Sequence, residues 1–214
     1  MYKCVIFDMD GTLADTSPGI LASHRYAHKM MGQPAPEECV LRKVIGGPLL
    51  QTYQERFGFA EPEKAVAFYR QYYAEQGIHA ASLYPGIVDA LRELYARGVL
   101  LGVATLKADR FVKQMLRDMG VFDCFSAIYG MDEKDGRTKA QLIQMCMSQL
   151  GTSAEETVLV GDSIHDMEGA EACGISFLGV TYGFGFSEQE EKGKFQMCST
   201  PAEIVEKLEV LYRG

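Results

Sequence analysis

The segment KCVIFDMDGTL, residues 3–13, sets the architecture expected for this chain. Its first part, KCVIFD, is a short apolar run of the kind found in strands that are covered on both faces. Two carboxylates, Asp8 and Asp10, come directly after it. Because open α/β sheets bind their ligands at the carboxyl ends of their strands, this order predicts a functional site immediately after the first strand.

Similar apolar runs recur along the second half of the chain, and amphipathic helical patterns that end at glycine separate them. The runs are VLLGVAT (99–105), AIYG (127–130), TVLVGD (157–162) and ISFLGV (175–180). Strands that alternate with helices indicate a parallel sheet with helices on both sides. The predicted fold class is therefore α/β, a Rossmann-like three-layer sandwich.

Residues 16–83 interrupt this alternation, since they contain helical patterns and no convincing strand. Helices are predicted from Ser17-Pro18 to near Gly32, and over 37–44, 48–57 and 62–76. The segment also holds six Glu but no Asp, unlike the rest of the chain. We expect an α/β core formed by 1–15 and 84–214, with 16–83 inserted as a small helical domain.

Composition excludes several classes of partner. The 214 residues are 47% hydrophobic and carry a formal net charge of −8, so nothing draws the chain electrostatically toward a nucleic acid polymer or an anionic membrane. No apolar run approaches the roughly 18 residues of a membrane span, and the N-terminus opens on a strand instead of a signal peptide. These features predict a cytoplasmic protein.

A second acidic cluster follows the run VLVGD. Asp162 stands at the predicted strand end, and Asp166 follows about one helical turn later. If the two strands are neighbours, Asp162 meets Asp8. Carboxylates completed by a backbone carbonyl and waters form the hard oxygen set that Mg²⁺ prefers.

Two further residues carry weaker signals. Thr105 ends the run VLLGVAT, where a hydroxyl and free backbone amides could bind phosphate, although helix capping explains it as well. Lys139 lies at a helix start, which is the unfavourable end of the helix dipole for a cation. A specific anionic partner is one explanation for this lysine, and an exposed surface position is the other.

The order of these elements resembles that of the haloacid dehalogenase superfamily, specifically its phosphatases that carry a helical cap after the first strand. DMDGTL, a helical insert, Thr105, Lys139 and GDSIHD follow one another as in that family. The segments VIGGPL (44–49), LYPGI (83–87) and GVTYGFG (179–185) are similar to the phosphoglycolate phosphatase and nucleotidase-like subgroup.

The resemblance implies a role for each motif residue. Asp8 would attack phosphorus as the nucleophile, and Asp10 would act as general acid and then as base. Mg²⁺ would be bound by Asp8, by the main-chain carbonyl of Asp10 and by Asp162, with Asp166 behind them. The phosphoryl oxygens would be held by a group of three residues, which are Thr105, the backbone amide of Leu106, and Lys139. Leu106 departs from the small or polar residue that is common at this position, and Lys107 beside it could supply a charge.

The predicted function is Mg²⁺-dependent hydrolysis of small phosphorylated metabolites through an aspartyl-phosphate, by a monomer or weak dimer. A sugar-phosphate mutase of the β-phosphoglucomutase type is the alternative on the same scaffold. A dehalogenase is disfavoured because its chemistry needs no metal. A non-catalytic binding protein is disfavoured because every catalytic motif residue is present.

Three features of the sequence remain open to more than one interpretation. His24 and His28, four residues apart, are predicted to be solvated or to line the cleft instead of binding a metal. The pattern YGFGF (182–186) is too short to indicate dinucleotide binding. A basic loop of the insert is a candidate for substrate selection or a plain solvated loop. It contains Arg42, Lys43, Gly46 and Gly47.

Overall fold

The computed structural model describes residues 2–132, 136–186 and 195–213. The chain forms two compact units, one from Met1–Asp15 and Leu83–Gly214 and the other from Thr16–Ser82. The first unit contains a parallel sheet, and the second is helical.

The larger unit is built on a six-stranded sheet in the order β5-β4-β1-β6-β7-β8, whose described pairings are all parallel. A separate pair, β2 and β3, lies where the chain passes between the units. The strands are β1 Cys4–Phe7, β2 Ala14–Asp15, β3 Ser82–Leu83, β4 Leu100–Ala108, β5 Ala127–Met131, β6 Thr157–Gly161, β7 Ser176–Val180 and β8 Gln196–Cys198.

Helices flank the sheet on both sides and also build the smaller unit. They are α1 Ser17–Met30, α2 Glu38–Arg42, α3 Leu49–Gln51, α4 Pro62–Glu75, α5 Ile87–Ala96, α6 Asp109–Asp118, α7 Lys139–Leu150, α8 Ile164–Cys173 and α9 Ile204–Arg213. A π-helical turn, Thr52–Arg56, continues α3. Within the described residues, none of these helices is both long and apolar enough to cross a membrane.

The central strand β1 is buried on both faces, which is why its sequence is continuously apolar. Cys4 and Ile6 pack in one cluster with Leu142 and Cys146 of α7. Phe7 faces the opposite side, where its ring meets Phe125 edge-on with centroids 6.4 Å apart. The predicted α/β sandwich with a parallel sheet is confirmed.

The sheet departs from the sequence prediction at two strands. β4 continues three residues past Thr105, to Ala108, and its register against β5 shifts after Ala104. β8 was not predicted, because its three residues Gln196–Cys198 are too few to show a strand pattern. It adds the outermost strand beside β7.

The helical unit packs around an aromatic cluster. His24 is 1% exposed, and its ring lies 4.8 Å from the Tyr69 ring and 5.5 Å from the Tyr53 ring. His24 Nδ1 is hydrogen-bonded to the Tyr53 hydroxyl at 3.0 Å. His28, one turn later, packs edge-on against Phe57 with centroids 4.9 Å apart.

The prediction that the two histidines are solvated or line the cleft is therefore wrong. His28 is also buried, and its Nδ1 is bonded to the Pro34 carbonyl at 3.1 Å. The spacing of four residues places both rings on the buried face of α1, where aromatic side chains from 53–59 and Tyr69 cover them. Burial lowers the pKa of His24 to about 4 and also lowers that of His28.

We predict that the helical unit loses stability in acid through His24. Because its folded pKa lies below the unfolded value, folding binds fewer protons and stability falls as pH drops from about 6.5 to 4. The shift corresponds to a loss on the order of 2–4 kcal/mol. In urea titrations, His24→Phe should show a shallower decline of the unfolding free energy over this window than the wild type.

His165, which is exposed on α8, provides the control. His165→Phe makes the same substitution at this exposed position and is titrated alongside His24→Phe. An identical pH dependence in the wild type and His24→Phe would show that His24 is not the group responsible.

Candidate active site

The carboxyl ends of three adjacent strands bring the motif residues together. Phe7 at the end of β1 is paired with Val103 of β4 and with Val160 of β6. Asp8 follows Phe7, and its backbone N–H donates to the Val160 carbonyl at 3.0 Å. Thr105 and Asp162 each lie two residues beyond their paired strand position, so all three side chains are positioned at one edge of the sheet.

Lys139 lies between two carboxylates in the interior of the site. Its ammonium contacts Asp8 Oδ1 at 2.5 Å and Asp166 Oδ1 at 2.5 Å, and its side chain is 5% exposed. A capping box formed by Thr138 and Gln141 begins α7 at this lysine. Of the two interpretations of Lys139 from sequence, the structure therefore supports the specific anionic partner.

Burial and charge act on this cluster in opposite directions. Burial raises the pKa of Asp8 to about 6, Lys139 opposes that shift, and the charges of Asp166 and Asp10 add to it. Burial alone would lower the pKa of Lys139, but the carboxylates of Asp166 and Asp8 raise it above its ordinary value. Lys139 therefore stays charged, and its charge holds Asp8 toward the anionic form.

Asp166 has its second oxygen committed to the start of α8. Asp166 Oδ2 accepts the Ser163 backbone N–H at 3.0 Å and the Ser163 hydroxyl at 2.6 Å. With Oδ1 on Lys139, both oxygens have protein partners. Asp166 is thus arranged to orient the lysine and cap the helix.

Asp162 is buried, and both its oxygens accept hydrogen bonds. Oδ2 accepts the Phe184 backbone N–H at 2.7 Å, and Oδ1 accepts the Thr12 hydroxyl at 3.3 Å. The pKa of Asp162 is raised to about 8, first by burial and then by the negative charges of Asp166 and Asp8. The hydrogen bonds from Phe184 and Thr12 lower the pKa by less. An ionised carboxylate that is buried among other carboxylates is unfavourable unless a cation lies beside it.

Asp10 faces a different lysine. Lys107 Nζ lies 2.9 Å from Asp10 Oδ1 and 3.0 Å from Oδ2, so one ammonium contacts both oxygens. The Lys107 side chain is 6% exposed and that of Asp10 is 20% exposed. The sequence suggested only a charge near the cleft at this position, and the ion pair gives that charge a specific partner.

The irregular end of β4 explains how Lys107 comes to lie there. Ala104 pairs with Tyr129 and Ala108 with Met131, so the residues 105–107 lie opposite Gly130 alone. A Cβ on Gly130 would stand 2.6 Å from the Lys107 carbonyl oxygen, so only glycine allows this approach. Within this segment Thr105 is buried, its hydroxyl accepts the Lys107 backbone N–H at 3.3 Å, and Leu106 is half-buried.

The donor set suits a hard divalent cation. Asp8, Asp162 and Asp166 each offer one oxygen, and these atoms lie within 4.8 Å of one another. Lys139 supplies a single positive charge against three buried carboxylates, so negative charge is left uncompensated. Since Asp166 is committed elsewhere, Mg²⁺ would be held by Asp8, Asp162 and the main-chain carbonyl of Asp10.

The candidate residues for substrate selection all lie in the helical unit. The Arg42 guanidinium contacts Glu38 at 2.9 Å, and Glu38 also contacts Arg25 at 2.8 Å. Lys43 is exposed after the end of α2. Gly46 is exposed with a φ of 83°, and Gly47 follows it. Arg42 is thus engaged within its own unit.

Comparison with known proteins supports the family assignment. The model of the haloacid dehalogenase-like hydrolase family matches residues 5–180. A 5′-nucleotidase of Pseudomonas aeruginosa is 37% identical over 192 residues, 88% of this chain and 86% of that protein. Tyrosine-protein kinase PtkA of Mycobacterium tuberculosis is 35% identical over 98% of this chain and 72% of its own length.

A solved structure agrees closely over the whole chain. The crystal structure of a predicted phosphatase from Clostridium acetobutylicum superposes with a TM-score of 0.90 at 32% identity, covering 99% of this chain and 100% of the other. The chain belongs to the haloacid dehalogenase-like hydrolase family. Within that family it is a phosphatase.

We predict that the ionised carboxylate of Asp162 destabilises the folded protein in solutions without divalent ions. Because its folded pKa is raised to about 8, the stability it contributes falls as pH rises from about 4 to 8. At pH 8 without divalent ions, Asp162→Asn should therefore melt a few degrees above the wild type. Saturating Mg²⁺ should raise the wild-type midpoint by roughly 5–10 °C and that of Asp162→Asn far less.

Circular dichroism melts with EDTA and with Mg²⁺ make this measurement. Asp123→Asn, which removes an exposed carboxyl, is the control and should respond to Mg²⁺ like the wild type. An unchanged Mg²⁺ response in Asp162→Asn would exclude that residue as a ligand.

Proposed function

We propose that this phosphatase hydrolyses small phosphorylated metabolites with Mg²⁺, through an aspartyl-phosphate on Asp8. The observation that carries the proposal is the buried ion pair of Asp8 with Lys139, at the end of the central strand. An anionic nucleophile must approach an anionic phosphate, so fixed positive charge has to lie beside it. Lys139 is that charge.

In the first step, an Asp8 carboxylate oxygen forms a bond to phosphorus and the phosphorus–ester oxygen bond breaks. Asp10 gives a proton to the departing oxygen. Asp166 and Asp8 share the lysine, so Lys139 stays in place as charge on Asp8 is transferred to phosphoryl oxygens. Thr105 and the Leu106 backbone amide are proposed to bind those oxygens.

In the second step, Asp10 takes a proton from water, whose oxygen attacks the aspartyl-phosphate. The new phosphorus–oxygen bond replaces the bond to Asp8, and inorganic phosphate leaves. When bound, Mg²⁺ adds positive charge at the phosphoryl oxygens and the nucleophile. Asp8, Asp162 and the Asp10 carbonyl are the residues proposed to hold it.

Lys107 orients the side chain of Asp10. Its ammonium contacts both carboxylate oxygens, at 2.9 and 3.0 Å. Donating a proton in the first step requires this contact to loosen. We propose that the substrate's leaving group does so by entering beside Asp10.

The core residues can recognise only the phosphoryl group of a substrate, so they do not select its leaving group. Asp8, Lys139 and Thr105 address a phosphoryl group, so the leaving group has to be recognised elsewhere, and we propose the helical unit as a cap that does so. The nucleotidase among the relatives supports testing nucleotides first. Phosphoglycolate is the second candidate, because the sequence also resembles that subgroup.

The test is a phosphate-release screen of the purified chain with Mg²⁺. The panel contains nucleoside monophosphates, phosphoglycolate and hexose phosphates, with kcat/KM measured for each. Release of inorganic phosphate from one class supports the proposal. Conversion of a hexose phosphate to its isomer would identify a mutase instead, and phosphoryl transfer to a tyrosine peptide would identify a kinase.

Asp8 and Asp10 are predicted to fail differently. Asp8→Asn removes the anionic nucleophile, so no phosphoenzyme forms and turnover vanishes. Asp10→Asn keeps the nucleophile but removes the proton carrier, a loss of about 10²–10⁴ in rate for the steps that need it. Because nitrophenolate scarcely needs protonation, Asp10→Asn should release a burst of nitrophenol from nitrophenyl phosphate and then turn over slowly.

Stopped-flow absorbance and acid-quenched labelling of the protein with radioactive phosphate measure the two steps. Asp132→Asn, outside the cluster, is a suitable charge control and should behave like the wild type. Traces without a burst in either active-site variant would contradict the division of roles between Asp8 and Asp10.

Lys43 is predicted to affect substrate choice more than chemistry. Within the described residues Lys43 is exposed and forms no ion pair, whereas Arg42 is paired with Glu38. Lys43→Ala should change the ratio of kcat/KM between metabolite substrates several-fold while sparing nitrophenyl phosphate. Lys29→Ala, another exposed lysine of the helical unit, should leave the ratio unchanged. An equal loss on every substrate would rule out a selective role.

A further inference from the structure

The segment 182–186, with the sequence YGFGF, has no part in the function proposed above, yet it is built around Asp162. We call it the glycine loop. It follows strand β7 after Val180 and belongs to the same unit as the acidic cluster. The pattern is too short to indicate dinucleotide binding, and in the structure two of its glycines lie against Asp162.

The glycine loop contacts Asp162 directly and also through Thr12. The Phe184 backbone N–H donates to Asp162 Oδ2 at 2.7 Å. The Tyr182 hydroxyl donates to the Thr12 carbonyl at 3.0 Å, and the Thr12 hydroxyl in turn donates to Asp162 Oδ1 at 3.3 Å. Each carboxylate oxygen of Asp162 therefore has a hydrogen-bond donor, one in the glycine loop and one in a residue that the loop contacts.

The two glycines allow this approach because they have no side chain. A Cβ on Gly183 would stand 2.4 Å from Asp162 Cβ and 2.4 Å from the Gly11 carbonyl oxygen. A Cβ on Gly185 would stand 2.5 Å from the Asp162 carbonyl oxygen. Neither glycine has a positive φ, so the requirement is for space and not for an unusual backbone conformation.

The loop itself is fixed at its first residue. The Tyr182 ring packs against Tyr84 with centroids 4.7 Å apart, and the residue is half-buried. Tyr84 is in turn bonded to the turn after β1, since its backbone N–H donates to the Leu13 carbonyl at 3.1 Å. The loop, the turn after β1 and Asp162 therefore form one connected set of contacts.

We propose that the glycine loop is a positioning element for the metal ligand Asp162. Fixing the carboxylate before the cation arrives removes the cost of ordering it on binding, and outer partners of metal ligands are typically worth 10–100-fold in affinity. The inference rests on the Mg²⁺ site of the proposed function. It predicts that changes in the loop weaken Mg²⁺ binding without removing any ligand.

Gly183→Ala is the direct test, with calorimetric titration of Mg²⁺ in the absence of substrate as the readout. The added methyl group must displace Asp162 or Gly11, so we expect the dissociation constant to rise about 10- to 100-fold. Gly77→Ala is the control. Its Cβ would stand 2.8 Å from Tyr73 Cδ2, so it is crowded within the helical unit and meets none of the residues proposed to bind the metal.

Tyr182→Phe is the milder second variant, which keeps the ring and removes only the hydrogen bond to Thr12. We expect a smaller rise in the dissociation constant, in the same direction. Unchanged Mg²⁺ affinity in a folded Gly183→Ala, or equal weakening in Gly77→Ala, would overturn the inference. If Gly183→Ala does not fold, unchanged affinity in Tyr182→Phe would overturn it.

The titration also separates this inference from the proposed function. Mg²⁺ binding by the wild type with no phosphate release from any substrate would contradict the proposed reaction and leave the loop's role intact. No binding by the wild type would overturn the metal assignment and this inference together.

Discussion

The ammonium of Lys139, buried between Asp8 and Asp166, is the contact on which the arrangement of the site depends. It is the only cation in direct contact with these buried carboxylates in the part of the chain described, and it joins the first strand to α7 and α8. Removing water from such charges costs several kcal/mol per ion unless each is paired. The fold therefore has to place all three residues accurately, and the capping interactions at Thr138 and Ser163 do so at both helix starts.

The parallel sheet is what allows residues so distant in sequence to meet. Asp8 and Lys139 are 131 positions apart, and Thr12 and Asp162 are 150 apart. With β1 between β4 and β6, three loops converge at one sheet edge, as they do in other open α/β sheets. Three buried carboxylates meet at this edge against the single charge of Lys139, so it is also where the proposed Mg²⁺ would bind.

The sheet and the acidic motifs could be predicted because they depend on local patterns. Apolar runs followed by Asp8 and Asp162 predict strands that end at a site. The burial of His24 could not be read in this way, because a spacing of four residues fixes a helix face but not what covers it. The contact of the glycine loop with Asp162 could not be predicted either, because it depends on the tertiary structure. The same holds for β8, whose three residues become a strand only by pairing with β7. The sequence predicts only that Lys107 places a charge near the cleft. Its pairing with Asp10 depends on the bulge in β4 opposite Gly130.

That bulge also separates the surroundings of the two proposed catalytic carboxylates. Lys139 contacts Asp8, whose side chain is 10% exposed, while Lys107 contacts Asp10, which is 20% exposed. A nucleophile benefits from a dry position, where water does not compete for its lone pair. An acid–base group has to exchange its proton with the outside between turnovers, so a more open position suits it. Extending β4 past Thr105 thus gives each carboxylate its own lysine and its own degree of contact with water, and Leu106, unusual in sequence, is simply a residue of that extended strand.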